Sequence, residues 1–547
     1  MKKFLCLLLA LSLAIPFMVS CRNNDQINPS TVSGTDISDY TIVRSENADK
    51  DLTKYIALFK HKLLEYTKVD ISVSSDSAES DENKKEILIG NTNRAESRAA
   101  YEALENAPED AYTIRNLGNK IVIAAKSDDG VIRAMKYFLM TYAKTGAAEN
   151  YISLENSKVD NGTINLDSVI LDNFIELSVD YKSDIYKPKN YRQMSAAYET
   201  LIQLNHNGSH NGNLLATFAT YSVGFDRPDG YNIYESTDNG KSWQVIANVQ
   251  DTLNTGLEDN LQPHLFELPS DIGSFKAGTI FLSACSKDAK VSKITLFYST
   301  DAGKNWTQYN KNLAEGGAAG YGANTEDPSG FRGVWEPFLT YEESTNRLYC
   351  FYSDETLPKE GNKTQKMAYI YTEDLVTWSE KSYVANCANL RAGMMSVTKM
   401  GNGEYFGVYM TGEIAGAPLY YKTTTRLNDW GDPSDIGTRL ESIDKKSAGQ
   451  SPWCTWTPAG GECGTLIVVG KYMVGDSMSV SDMFLSFDYG KTFITIENPI
   501  PYEQLPDGRC GYSAFLGTAS DGTVFYLNNP SINSTQSKVL FMRIKIW

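Results

Sequence analysis

The chain has 547 residues, 41% of them hydrophobic and 22% charged, enough apolar material for more than one core, and this excludes a disordered or collagen-like chain. Its 67 acidic residues against 51 basic ones leave a net charge of -16, so binding nucleic acid would oppose the field of the whole protein, and no nucleic-acid partner is expected. Only four histidines are present, His61, His206, His210 and His264, and no acidic residues complete a metal-ligand spacing around them, so neither a catalytic metal nor a cofactor is expected.

Lys2 and Lys3 precede an apolar run from Phe4 to Val19, the pattern of a secretory signal over residues 1–20. Met18-Val-Ser-Cys21 closes that run and resembles a bacterial lipoprotein processing box. The resemblance implies export to the periplasm or cell surface, acylation of Cys21 as an anchor in a lipid bilayer, and residues 21–38 as a polar tether. No later run of eighteen apolar residues suggests a second membrane segment.

Residues 39–160 read as a small α/β domain. Leu52, Ile56, Phe59 and Leu63 fall at helical spacing between Ala48 and Tyr66, Glu86 to Ile89 and Lys120 to Ala124 are short apolar strands, and the segment from Gly130 to Leu139 is again amphipathic. The runs "EILIGNTNR" and "GVIRAMKYFL" resemble the small α/β domain that precedes the catalytic domain in several glycoside hydrolases, which implies a packing or spacer role.

From about Asn161 short alternating segments recur, each entered from Gly, Asn or Asp, and residues 176–547 are expected to be strand-rich. Ser236-Thr-Asp-Asn-Gly-Lys-Ser-Trp243 and Ser299-Thr-Asp-Ala-Gly-Lys-Asn-Trp306 are two copies of one element, and Ser486-Phe-Asp-Tyr-Gly-Lys-Thr-Phe493 is a third. Weaker copies run from Tyr371 to Trp378, with Glu373 at the Asp position, and from Thr423 to Trp430, giving intervals of 63, 72, 52 and 63 residues. Asp accepts N–H groups across a tight turn, Gly takes the positive φ, and the ring packs back over the hairpin, so Asp238, Asp301 and Asp488 maintain the fold rather than catalyse. The pattern resembles the Asp boxes of sialidase-like propellers, and about 370 residues at a period near sixty imply a mainly β, six-bladed β-propeller. The even count of Cys285, Cys350, Cys387, Cys454, Cys463 and Cys510 permits disulfides, with Cys454 and Cys463 able to close a short loop.

A propeller places its chemistry among loops and strand ends around the axis, so the candidates are polar residues that break the repeat. Glu267 in Leu261-Gln-Pro-His-Leu-Phe-Glu-Leu-Pro and Glu336 in Gly333-Val-Trp-Glu-Pro-Phe-Leu are carboxylates in apolar runs, about one blade apart. The flanks of Glu336 offer the desolvation that raises a carboxyl pKa toward acid catalysis, and two facing carboxyl groups are what glycosidic cleavage requires.

From Tyr191 onward the chain resembles the exo-α-L-arabinanases of glycoside hydrolase family 93, six-bladed members of the sialidase superfamily. The resemblance rests on Gly333-Val-Trp-Glu-Pro-Phe-Leu, Leu390-Arg-Ala-Gly-Met-Met-Ser-Val-Thr with Gly403 and Tyr405, Trp456-Thr-Pro with Gly464-Thr-Leu, and Gly511-Tyr-Ser. It implies a retaining exo-hydrolase that releases arabinobiose from linear α-1,5-arabinan, with Glu267 as nucleophile and Glu336 as general acid/base. Arg332, Trp335, Arg391, Trp453 and Tyr512 are the candidate substrate-binding residues. An exo-sialidase and a non-catalytic glycan-binding propeller are the alternative readings.

Overall fold

The computed structural model describes residues 33–547 apart from 80, 147, 172–173, 190–192, 223–229, 258, 289, 318–332, 357–364, 477–479 and 502–509. The expected signal over residues 1–20, Cys21 and Arg332 therefore lie outside the described residues. Contacts divide the chain into two compact units, one ending at Leu166 with residues 172–174 added, the other comprising residues 167–171 and 175–547.

The first unit is a six-stranded sheet in the order Ser72–Ser75, Thr41–Arg44, Glu86–Ile89, Lys120–Ala125, Ala111–Asn116, Val159–Thr163. Its first four strands are parallel and the last two antiparallel. The expected first helix spans Lys50–Thr67, started by the Asp49 carboxylate accepting from the Leu52 amide, and buries Leu52, Ile56, Phe59 and Leu63. Helix Asp128–Phe138 is capped in the same way by Ser127. Glu86 is buried on a central strand, where Arg94 and Lys120 both reach its carboxylate, at 3.2 and 2.9 Å. This is a satisfied ion triad inside a packed sheet, a structural arrangement.

The second unit is a six-bladed β-propeller. Blades 1 to 5 are antiparallel sheets whose innermost strands are, in turn, Gln193–Gln203, Asp259–Glu267, Val334–Glu342, Arg391–Lys399 and Trp453–Thr457. The sixth starts at Phe515–Thr518, continues through Val524–Asn528 and Val539–Ile546, and takes Glu176–Tyr186 from the start of the unit beside that last strand. Joining strands from both ends of the unit in one sheet closes the ring. Between blades the apolar faces bury one another; Phe281, Leu339 and Leu348 lie in one such layer, Phe406, Leu466 and Phe484 in another.

The three strong Asp boxes occupy equivalent hairpins. In the second, Asp301 Oδ1 accepts the Ser299 hydroxyl at 2.8 Å and the Asn305 amide at 2.9 Å, the Gly303 amide donates to Ser299 Oγ, and Trp306 Nε1 donates to the Gly303 carbonyl at 2.8 Å. Ser236, Asp238 and Trp243 repeat the set, and Ser486 and Asp488 repeat its hydroxyl and carboxylate parts. Gly240, Gly303 and Gly490 take φ of 93, 84 and 83°, the left-handed turn that the motif requires. The two weak copies are one residue shorter. In the first, Thr372 and Asp374, not Glu373, supply the hydroxyl and carboxylate; in the second, Thr424 and Trp430 remain without an acid, and Trp430 Nε1 donates to the Leu427 carbonyl. The six described cysteines are all free thiols, so Cys454 and Cys463 are not joined.

Candidate active site

The first four inner strands each carry one left-handed non-glycine residue, and those four residues meet at one cavity. Tyr198, Gln262, Glu336 and Met394 sit in register shifts of the first four inner strands with φ of 59, 55, 52 and 57°; Ser451 and Ser513, just before the last two, have φ of 43 and 63°. A bulge with a left-handed non-glycine residue re-aims the side chain, and such strain persists where a site over-determines it. In three of the six blades the next residue is proline: Pro263, Pro337 and Pro452.

Tyr198, Gln262, Glu336 and Met394 line a cavity of about 920 Å³ together with Trp335, Glu355, Gln365, Arg391, Glu413 and Tyr512. Gln262 Nε2 donates to Glu336 Oε1 at 3.1 Å and to the Tyr198 hydroxyl at 3.1 Å, and the Glu336 amide donates back to Gln262 Oε1 at 3.0 Å. Glu336 Oε2 is buried without a hydrogen-bond partner. Loss of water pushes the Glu336 carboxyl up to about 7, with the nearby Ser353 hydroxyl and Arg391 opposing the shift and Glu355 adding to it. A carboxyl poised near neutrality at the wall of a cavity suits a general acid.

Arg391 donates through Nη2 to Glu355 and, at 2.6 Å, to Gln365 Oε1; Trp335 Nε1 donates to the other Glu355 oxygen at 3.0 Å. Gly333 makes room for this, because a Cβ there would run into the Trp335 indole. Trp335 and Arg391 are thus fixed in the cavity wall through Glu355, which is 1% exposed. Tyr512 lies against Tyr198, ring centroids 5.3 Å apart, and both phenols are pushed up by burial.

Two of the expected residues fall elsewhere. Glu267 ends its strand five residues beyond Gln262, roughly 16 Å along at about 3.3 Å per residue. There it accepts from the amides of Asn205 and His206, at 2.7 and 2.9 Å, and from the Asn207 side chain at 2.7 Å. The structure therefore does not bring Glu267 to Glu336; the place equivalent to Glu336 on the second blade holds Gln262. Trp453 packs against His264, Phe338 and Phe515 and lines a chamber of about 40 Å³ beside the cavity, rather than the cavity itself. That chamber is shared by Glu336 and Glu199. Neither oxygen of Glu199 has a hydrogen-bond partner, and burial pushes its carboxyl up to about 8. His264 also borders it, accepts the Leu339 amide at Nδ1, and is pushed down by burial to about 3. His206 and His210 line a separate cleft, and among the described residues no group of three acidic, histidine or cysteine side chains is placed to hold a metal.

Sequence reasoning missed Gln262, Glu355 and Glu199. For Gln262 a signal was present: Gln262-Pro263 and Glu336-Pro337 are the same two-residue step on consecutive blades.

A six-bladed propeller with Asp boxes and a raised carboxyl in its cavity defines a sialidase-superfamily scaffold. The BNR/Asp-box repeat family matches residues 297–308. No curated protein matches the chain. Among solved structures, the chain is 29% identical to the Penicillium chrysogenum α-L-arabinanase complexed with arabinobiose, at a TM-score of 0.54 over 67% of this chain and 98% of that one. It is 27% identical to the α-L-arabinofuranosidase of Fusarium graminearum in complex with an iminosugar inhibitor, at a TM-score of 0.54 over 67% of this chain and 97% of that one. The arabinobiose complex of the family 93 Fusarium enzyme is similar at 26% identity, with a TM-score of 0.53 over 67% of this chain and 97% of that one. The propeller is related to these catalytic glycoside hydrolases, and an α/β unit precedes it.

Proposed function

We propose that this chain is an exo-acting glycoside hydrolase of linear α-1,5-L-arabinan that releases short products such as arabinobiose, with Glu336 protonating the leaving oxygen. The observation that carries the reading is Glu336 itself: a carboxyl raised to about 7, on a strained bulge, held by Gln262 at the wall of a cavity of about 920 Å³. The related arabinanase and arabinofuranosidase structures, both with ligands bound, support the substrate class. Arg391, braced by Glu355 and Gln365, and Trp335 supply a charged donor and an aromatic wall for a sugar. A sialidase would need several arginines around a carboxylate, and Arg391 is the one arginine among the described lining residues. Glu267 is engaged on the loop of residues 205–207 and does not line the cavity, so it is not proposed as the nucleophile.

Incubation with linear arabinan, arabino-oligosaccharides and a sialyl conjugate tests the reading. Short arabino-oligosaccharides appearing from the first two alone support it; release of sialic acid, or no product, refutes it.

Among the described residues no helix is long and apolar enough to cross a membrane. Anchoring through an acylated Cys21 remains part of the proposal and rests on Met18-Val-Ser-Cys21. Cys21→Ser should move the protein from the membrane to the soluble fraction, and unchanged fractionation refutes the anchor.

A further inference from the structure

We propose that blades 1 and 2 carry a second saccharide-binding site, separate from the cavity, which takes a carboxylate-bearing (uronic-acid) glycan chain in two adjoining clefts that meet at Lys304. The site does not depend on the arabinan reading above.

The first cleft, of about 730 Å³, is lined by His206, His210, Phe275, Lys276, Tyr298 and Lys304. The second, of about 310 Å³, is lined by Asn248, Gln250 and Trp306, and again by Lys304. Both flank the second Asp-box hairpin. The first also borders the loop that Glu267 holds, at the end of the blade 2 inner strand remote from Gln262.

That loop is fixed by its hydrogen bonds. Glu267 accepts from the amides of Asn205 and His206 and from the Asn207 side chain, and Asn207 Nδ2 donates in addition to the Gly278 carbonyl at 2.9 Å. The Asn207 amide donates to Asn211 Oδ1 at 2.6 Å. Gly278, at a φ of 89°, lies so close to the His206 carbonyl that no Cβ fits between them. Glu267 is thus a positioning residue for the turn that carries His206 and His210, which gives this carboxylate a role away from the cavity.

Charge selects the ligand. Two ammonium groups and two imidazoles line the first cleft against one carboxylate, Asp301, in a chain whose net charge is -16. Asp301 is committed within its own turn: Oδ1 accepts from Ser299 and the Asn305 amide, and Oδ2 accepts from the Asn305 side chain at 2.6 Å. Asp271, outside the lining, pairs with Lys276 at 2.7 Å. Among the described residues the side chains of Lys304, His206 and His210 have no hydrogen-bond or ion-pair partner. A cationic island in an acidic protein attracts anions, and a carboxylate there gains charge-assisted hydrogen bonds.

The remaining lining argues for a sugar chain over a lone anion. Phe275 and Tyr298 meet edge to face with ring centroids 5.0 Å apart, and Trp306 is held through Nε1 on the Gly303 carbonyl. These half-buried rings offer apolar walls to the C–H faces of sugars, while the exposed amides of Asn248 and Gln250 offer donors and acceptors to hydroxyls. Inorganic phosphate uses none of these, and neutral arabinan leaves the cations unmatched.

The test is calorimetric titration of the full chain at low salt with a galacturonate hexamer, its fully methyl-esterified form and inorganic phosphate. The inference predicts that the acidic hexamer binds, that added salt weakens it, and that the ester binds at least about ten-fold more weakly. Lys304→Glu and the double variant His206→Ala/His210→Ala should each lose at least about ten-fold in affinity for the acidic hexamer, at an unchanged melting temperature. Lys287→Ala, in the cavity wall, should bind the hexamer as the native chain does. No binding of the hexamer overturns the site, and equal affinity for the ester overturns the role of charge. Full affinity in both cleft variants, or a loss in Lys287→Ala instead, overturns the location. Phosphate bound as tightly as the hexamer overturns the saccharide and leaves an anion site only.

Discussion

Gln262 and Glu336 hold each other from adjacent blades: Gln262 Nε2 donates to Glu336 Oε1 at 3.1 Å, and the Glu336 amide donates to Gln262 Oε1 at 3.0 Å. The amide thereby fixes the acid through both its side chain and its backbone without adding charge. Gln262→Glu puts a second carboxyl in that contact, and two carboxyl groups sharing one site resist joint ionisation. The alkaline limb of kcat/KM should move up by about one pH unit or more, while Gln262→Met, which removes the donor without adding charge, should lower kcat without that upward shift. A pH–rate profile of each variant checks this.

The native enzyme should show a corresponding pH dependence. Glu336 must be protonated to act as an acid, and burial holds its carboxyl near about 7. Activity on arabino-oligosaccharides, whose leaving group is poor, should therefore fall as pH rises through about 7. Aryl arabinosides, which need less help in leaving, should lose less over the same range. Rates for the two substrates measured from pH 5 to 9 make the comparison.

Glu199 makes a prediction about stability. Burial pushes its carboxyl up to about 8 in the fold, well above the ordinary glutamate value, so the folded state binds the proton more tightly than the unfolded chain. The stabilisation is fully present below about 4.5 and is lost as pH rises through about 8. Glu199→Gln removes that titration. Its melting temperature should exceed that of the native protein at pH 8 and approach it at pH 5, by thermal melts at both pH values.

Asp301 anchors its turn through several hydrogen bonds and lies away from the cavity. Asp301→Ala should cost about 1–2 kcal/mol in unfolding free energy, while kcat per folded molecule stays unchanged. Denaturant unfolding together with a rate assay separates the two effects.

What could be read from the sequence was what is local in the chain. An Asp box completes its hydrogen bonds within eight residues, so Asp238, Asp301 and Asp488 announced the blades. The copies at Thr372 and Thr424 are one residue shorter, so alignment on their tryptophans shifts the hydroxyl and acid positions by one residue. Glu336 was legible because its apolar flanks adjoin it. Glu267 was misread because the inner strand changes register between Leu261 and His264, and that shift decides which side chain reaches the cavity. A bulge is set by pairing with the neighbouring strand, and residue types along one strand do not report it. The Arg391–Glu355–Trp335 arrangement joins two blades and was not legible in either segment alone.

The central claim, that Glu336 is the acid of a glycoside hydrolase, is tested most directly by Glu336→Gln against two substrates. The account predicts a loss of about 10²- to 10⁴-fold in kcat/KM on linear arabino-oligosaccharides and a much smaller loss on an aryl arabinofuranoside with a good leaving group, at an unchanged melting temperature. Equal losses on both substrates, or near-native activity on the oligosaccharides, would contradict it.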